Sequence, residues 1–162
     1  MRRKYAARPQ IAFLAQDWED GYNVGGLFRL ADACGATQIT LTGKSPQPEA
    51  NPMVAVTSMG QHRRIPWRHF ARHDDAIAAM KSEGWSLVAV EIAEGAVDVN
   101  GFRFPEKTCL VLGNEGGGIY GQVIEQCDFA VFIPMFGKGR SLNVASAAAV
   151  VAYAAVFGSS AG

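Results

Sequence analysis

Net charge is the first thing this 162-residue chain lacks: 15 Lys and Arg stand against 15 Asp and Glu. A whole-molecule field therefore cannot be what draws it to a polyanion. Cysteine is scarce as well, with Cys34, Cys109 and Cys127 in no C-x-x-C pair and at no metal-ligand spacing. That excludes a disulfide framework, gives no reason to expect a metal, and suits a reducing cytoplasm. Long apolar runs are missing: residues 145–157 include Ser146 and are too short to span a bilayer. The basic N-terminus is followed by no apolar stretch of the signal type, so a soluble cytoplasmic protein without membrane contact is expected. All three histidines fall between positions 62 and 73, and Ser141 sits in no G-x-S-x-G elbow. No Ser/His/Asp or Cys/His hydrolase can be assembled from this inventory.

What is present is glycine, 18 residues in all, and a hydrophobic content of 49% against 19% charged. The length and balance predict one domain over residues 1–162 with a real core and many tight turns. Eight of the 15 cations sit in two short stretches: Arg2, Arg3, Lys4 and Arg8, then Arg63, Arg64, Arg68 and Arg72. The second is interleaved with Trp67, Phe70 and the three histidines, a composition suited either to phosphate contact with base stacking or to plain solvated surface.

Residues 1–9 read as a basic arm and 11–15 as a buried strand, with a polar loop over 16–22. A helix over 23–34 follows, capped by Asn23 and stopped by Gly35. Residues 37–42 alternate and close a βαβ unit. The periodicity then predicts a short helix over 53–59, the basic aromatic stretch over 60–72 and a helix over 74–82. Strands at 86–91 and 108–112, a helix over 120–127 and a strand at 129–133 complete the series. Ser141 is placed to cap a last helix, almost wholly apolar from 147 to 157. Strands alternating with helices imply an α/β fold, a mostly parallel sheet with helices on both faces.

In such sheets ligands bind beyond the carboxyl ends of the strands. Three polar, glycine-containing segments follow strand ends directly: 17–26, 113–118 and 134–140. That convergence points to an enzyme. In the first, Gly25 and Gly26 let a substrate or partner backbone come close, and Arg29 on a core-facing helix needs a partner, functional or an ion pair with Asp32. In the second, Gly113-Asn114-Glu115-Gly116-Gly117-Gly118 offers bare backbone groups suited to an adenine edge or a ribose, but lacks the Walker A lysine and the G-x-G-x-x-G frame. The third is either a pocket wall carrying Lys138 and Arg140 or a capped core helix after an ordinary turn.

Asn23-Val24-Gly25-Gly26-Leu27-Phe28-Arg29 with Ala31-Asp32-Ala33 behind it is the first of three motifs. Leu112-Gly113-Asn114-Glu115-Gly116 is the second, and Ile133-Pro134-Met135 with Ser141-Leu142-Asn143-Val144-Ala145-Ser146 is the third. In this order, over residues 11–157, they resemble the motifs of the SpoU/TrmH-type RNA 2′-O-ribose methyltransferases of the SPOUT superfamily. The resemblance implies a deep C-terminal trefoil knot over about residues 86–157, a homodimer, and S-adenosylmethionine as donor of a methyl group to a ribose 2′-hydroxyl of tRNA or rRNA. It makes Arg29, Asn23, Glu115, Ser141 and Asn143 catalytic, and gives Leu112, Gly113, Asn114, Gly117, Ile133, Met135, Ser141 and Leu142 to the cofactor. A guanidinium keeps its proton, so Arg29 is expected to stabilise the developing alkoxide and clamp a phosphate rather than act as base. No separate RNA-binding domain is evident, so RNA is expected at Arg3, Lys4, Arg8, Arg63, Arg64, Arg68, Lys138 and Arg140 or in a dimer groove. Two alternatives stay open: a catalytically silent knotted RNA-binding dimer, and a knotted methyltransferase acting on a different RNA atom.

Overall fold

Alternate residues of Gln10–Gln16 (β1) enter different cores in the computed structural model, which describes residues 8–158. Ile11, Phe13 and Ala15 join one apolar cluster, Ala12 and Leu14 the other. A strand apolar at successive positions must be covered on both faces, and a parallel sheet between helices does that. β1 is flanked by Gln38–Thr42 (β2) and Lys107–Leu112 (β6), each parallel to it. Trp67–Phe70 (β3) pairs outside β2, Ser86–Val90 (β4) outside β6, Phe129–Phe132 (β7) outside β4, and Val97–Asp98 (β5) outside β7. The order β3-β2-β1-β6-β4-β7-β5 is parallel at every pairing. The expected sheet is thus observed, with two more strands than the periodicity predicts. β3 hides in the basic aromatic stretch because an edge strand of half-buried residues has no apolar run, and β5 is two exposed residues long.

Gly21–Cys34 (α1), Pro52–Ser58 (α2) and Val144–Gly158 (α5) cover the face of Phe13, while His73–Ser82 (α3) and Gly121–Ile124 (α4) cover the face of Leu14. α1 begins two residues before the predicted start, because Asp20 rather than Asn23 caps it, its side chain accepting from Tyr22 N. Gly35 stops it in the left-handed conformation as expected (φ 73°). α5 starts at Val144, and its cap is Asn143, whose Oδ1 accepts from Ala145 N and Ser146 N at 2.9 and 3.2 Å. The expected Ser141 cap is replaced for that reason. α4 is one turn, shorter than the helix over 120–127 that the sequence predicts, since Gly121 opens it and the chain turns at residue 125.

Candidate active site

The parallel register puts the carboxyl ends of β1, β6, β4 and β7 on one edge, and the order reverses between β1 and β6. Above that edge lies a cleft of about 1170 Å³. Two loops from the ends of β1 and β6 are tied together over it. Trp18, fully buried, donates its indole N–H to Leu112 O at 3.1 Å and its backbone N–H to Ser45 Oγ at 2.9 Å. Gln16, also fully buried, accepts from Tyr120 N at 2.7 Å and donates to Gly118 O at 3.4 Å. Asn114 donates to Asp17 O at 2.6 Å and to Glu19 Oε1 at 3.2 Å, while its Oδ1 accepts from Gly116 N and Gly117 N. The loop from 113 to 118 doubles back so tightly that a Cβ on Gly113 would stand 2.1 Å from Gly118 C, so only glycine fits there.

Across the mouth of the cleft runs a chain of side-chain hydrogen bonds whose polarity is forced. Glu115 only accepts: it takes Glu19 N at 3.1 Å, Asp20 N at 2.9 Å and Asn23 Nδ2 at 3.3 Å. Asn23 therefore turns its oxygen outward, where Asn143 Nδ2 donates to it at 3.0 Å. Asn143 Oδ1 is in turn committed to capping α5. The chain draws one residue from each of the three segments, and it locks the Asn23 and Asn143 amides each in a single orientation.

Among the residues predicted for the site, Asn23, Leu112, Gly113, Asn114, Glu115, Gly117, Ile133, Met135, Ser141, Leu142 and Asn143 all line the cleft. Arg29 does not: it is exposed further along α1, and no ion pair to Asp32 forms among the described residues. Gly25 does not admit a substrate either. A Cβ there would stand 1.8 Å from Thr57 Oγ1 and 2.6 Å from Val54 O, so Gly25 exists for the contact of α1 with α2, and Gly26 faces Ala145 at the start of α5. Arg140 lines the cleft, and Lys138, Arg63 and Arg64 are exposed. Arg68 is paired within the chain: its two terminal nitrogens meet Glu83 at 2.6 and 2.8 Å, and its guanidinium lies 5.3 Å from the centre of the Phe70 ring. The Arg68 hydrogen bond, with its positive charge, holds the Glu83 carboxyl below its usual value against slight desolvation. Arg8 is tied to the end of α1 through Cys34 O at 3.3 Å, and Arg3 and Lys4 lie outside the described residues.

Sequence reasoning missed residues 90–93 at the end of β4, which form a further wall, and Glu91 within it. Glu91 accepts from Ile119 N at 3.1 Å and from Ile92 N at 3.1 Å. It also missed the pair outside the cleft formed by Asp17 and Tyr120, whose hydroxyl donates to Asp17 Oδ2. That hydrogen bond pushes the Tyr120 phenol up to about 12. Desolvation opposes ionisation of Asp17, but the bonds from Tyr120 and Lys44 N and the charges of His73 and Lys44 outweigh it and hold the carboxyl below its ordinary value. Asp17 keeps this place in the left-handed conformation (φ 54°), a cost that its four ties repay.

Fold and cleft together define a parallel α/β protein whose cleft is lined by three ordered segments at a topological switch point. The SpoU rRNA Methylase family model matches residues 10–153, and the chain belongs to that family. It is 26% identical over 148 residues to the tRNA (guanosine(18)-2′-O)-methyltransferase of Escherichia coli, covering 91% of this chain and 63% of that one. It is 31% identical over 137 residues to the 23S rRNA (guanosine(2553)-2′-O)-methyltransferase RlmP of Bacillus subtilis, covering 83% and 53%. The crystal structure of the SpoU methyltransferase AviRb from Streptomyces viridochromogenes in complex with AdoMet superposes with a TM-score of 0.84 at 29% identity, over 96% of this chain and 60% of that one. The chain thus spans somewhat over half the length of these relatives. No helix among the described residues is long and apolar enough to cross a membrane.

Proposed function

We propose that this chain transfers a methyl group from S-adenosylmethionine to a ribose 2′-hydroxyl of tRNA or rRNA, as one cytoplasmic methyltransferase domain over residues 1–162 acting as a homodimer. The observation that carries this reading is the Glu115–Asn23–Asn143 chain, which joins all three motif segments across one cleft. The cleft's donor set fits a cationic cofactor: Glu19, Asp20, Glu91 and Glu115 line it against Arg140 as the one cation among the described residues. When bound, S-adenosylmethionine supplies an electrophilic methyl on a sulfonium whose C–S bonding pair returns to sulfur, leaving a neutral thioether. The wall of residues 112–118, Ile133, Met135 and Leu142 would hold it, much of it through glycine backbone, while the bonds from Trp18, Gln16 and Asn114 keep that wall in place before binding. Asn23 and Asn143 would orient the ribose, whose 2′-oxygen loses its proton to solvent as the bond to carbon forms.

Arg29 lies outside the cleft of its own subunit, which supports a site completed by a second copy. α5 offers Val150, Tyr153 and Phe157, all 36–51% exposed, as an apolar face for that copy. The knot over about residues 86–157 belongs to the same proposal. It is supported by β6 entering the sheet between β1 and β4, and by α5 returning from β7 to pack on β6 and α1. Exposed Arg63, Arg64, Lys138 and Arg140 are the proposed RNA contacts. Isothermal calorimetry with S-adenosylmethionine tests the reading: saturable binding, one per chain, is expected. No binding would contradict it and favour the silent RNA-binding module.

A further inference from the structure

Tyr22 lines the cleft one residue before Asn23, yet it is 54% exposed. Its main chain is fixed on both sides. The N–H donates to Asp20 Oδ1 at 2.8 Å, and the carbonyl accepts from Thr57 Oγ1 at 3.0 Å. The second bond depends on the glycine contact that brings α1 against α2, the same contact that sets Met53 on this side of the cleft. The ring, by contrast, has no aromatic or cationic partner among the described residues, and its hydroxyl makes no hydrogen bond there. An aromatic ring on a clamped backbone, left bare beside the reacting centre, is a pre-organised flat surface that loses little rotamer freedom when covered.

We infer that Tyr22 is the stacking platform for an unpaired nucleobase of the RNA substrate, either the base of the methylated nucleotide or that of its neighbour. The inference rests on the methyltransferase reading above. A ribose held at Asn23 carries its own base, and the next one, within a nucleotide's reach of position 22. Unpaired bases in RNA loops splay out and stack on tyrosine rings. Glu19 and Asp20 line the same cleft and repel phosphate, so this part of the RNA is gripped by a base face rather than by its backbone. The backbone is left to the cations at 63, 64, 138 and 140.

The test compares wild type, Tyr22→Ala and Tyr22→Phe in methyl transfer from S-adenosylmethionine to unmodified tRNA and rRNA transcripts. S-adenosylhomocysteine affinity is measured by calorimetry and oligomeric state by light scattering. Loss of one base stack should raise KM for RNA roughly ten- to a hundredfold in Tyr22→Ala. S-adenosylhomocysteine affinity and oligomeric state should stay unchanged, and Tyr22→Phe should recover most of the loss, since stacking needs the ring and not the hydroxyl. An unchanged KM in Tyr22→Ala, a changed oligomeric state that places a second copy on the ring, or a Tyr22→Phe as impaired as the alanine variant would each overturn the inference while leaving the methyltransferase reading intact. A wild type that transfers no methyl group to any transcript would instead refute that reading and this inference with it.

Discussion

At the scale of single residues, Glu115 does more than its exposed position suggests. Its carboxylate collects two backbone N–H groups of the 17–20 loop and the Asn23 amide, and so fixes which face of Asn23 meets Asn143. Glu115→Gln presents one acceptor and one donor group to the same three donors. It should cost about 1–2 kcal/mol of stability in denaturant titration, a modest sum because the site is open to water. Methyl transfer should fall at least tenfold, because Asn23 loses its imposed orientation. An unaltered rate would show that Asn23 needs no partner. Asn23, Glu115 and Asn143 were each legible through the resemblance, but their mutual bonding was not, because 92 and 120 residues separate the partners. Gln16 and Trp18 were illegible for another reason. Both stand in a stretch over 16–22 that reads as a polar loop, whereas both are fully buried.

At the scale of elements, helix packing explains Gly25 of the first motif better than substrate access does, and it places no such demand on Gly26. Gly25→Ala would drive a methyl group into Thr57 Oγ1 and the backbone at Val54 O, and backbone cannot step aside cheaply. A loss of about 2–3 kcal/mol is expected, several degrees in thermal unfolding. Gly26→Ala meets only Ala145 Cβ at 3.8 Å, an ordinary contact, and should be neutral or slightly stabilising through helix propensity. Equal losses at the two positions would contradict this account of α1. The helices, apart from the length of α4, and the strands β1, β2, β4, β6 and β7 were legible because each carries its own apolar run or period. β3 and β5 were not, since a short edge strand draws its stability from one neighbour's hydrogen bonds rather than from its own pattern. Cap residues shifted for a similar reason: several polar side chains stand near each helix start, and the surrounding fold chooses among them.

At the scale of the whole molecule, zero net charge conceals a division of labour. Carboxylates gather in the cleft, while exposed cations lie at 63, 64 and 138 outside it. A cationic methyl donor and a polyanionic acceptor would thus be received by different surfaces of one small domain, and the reacting ribose would be the point where they meet. Arg29, standing away from its own cleft, fits that division only if a second subunit brings it to the ribose. The most direct test of methyl transfer to a ribose is nucleoside mass spectrometry of tRNA and rRNA from cells with and without this gene. One 2′-O-methylnucleoside should be lost without the gene and return when the purified protein and S-adenosylmethionine are added. An identical nucleoside profile in the two RNAs, or a missing methyl group that belongs to a base, would contradict the account.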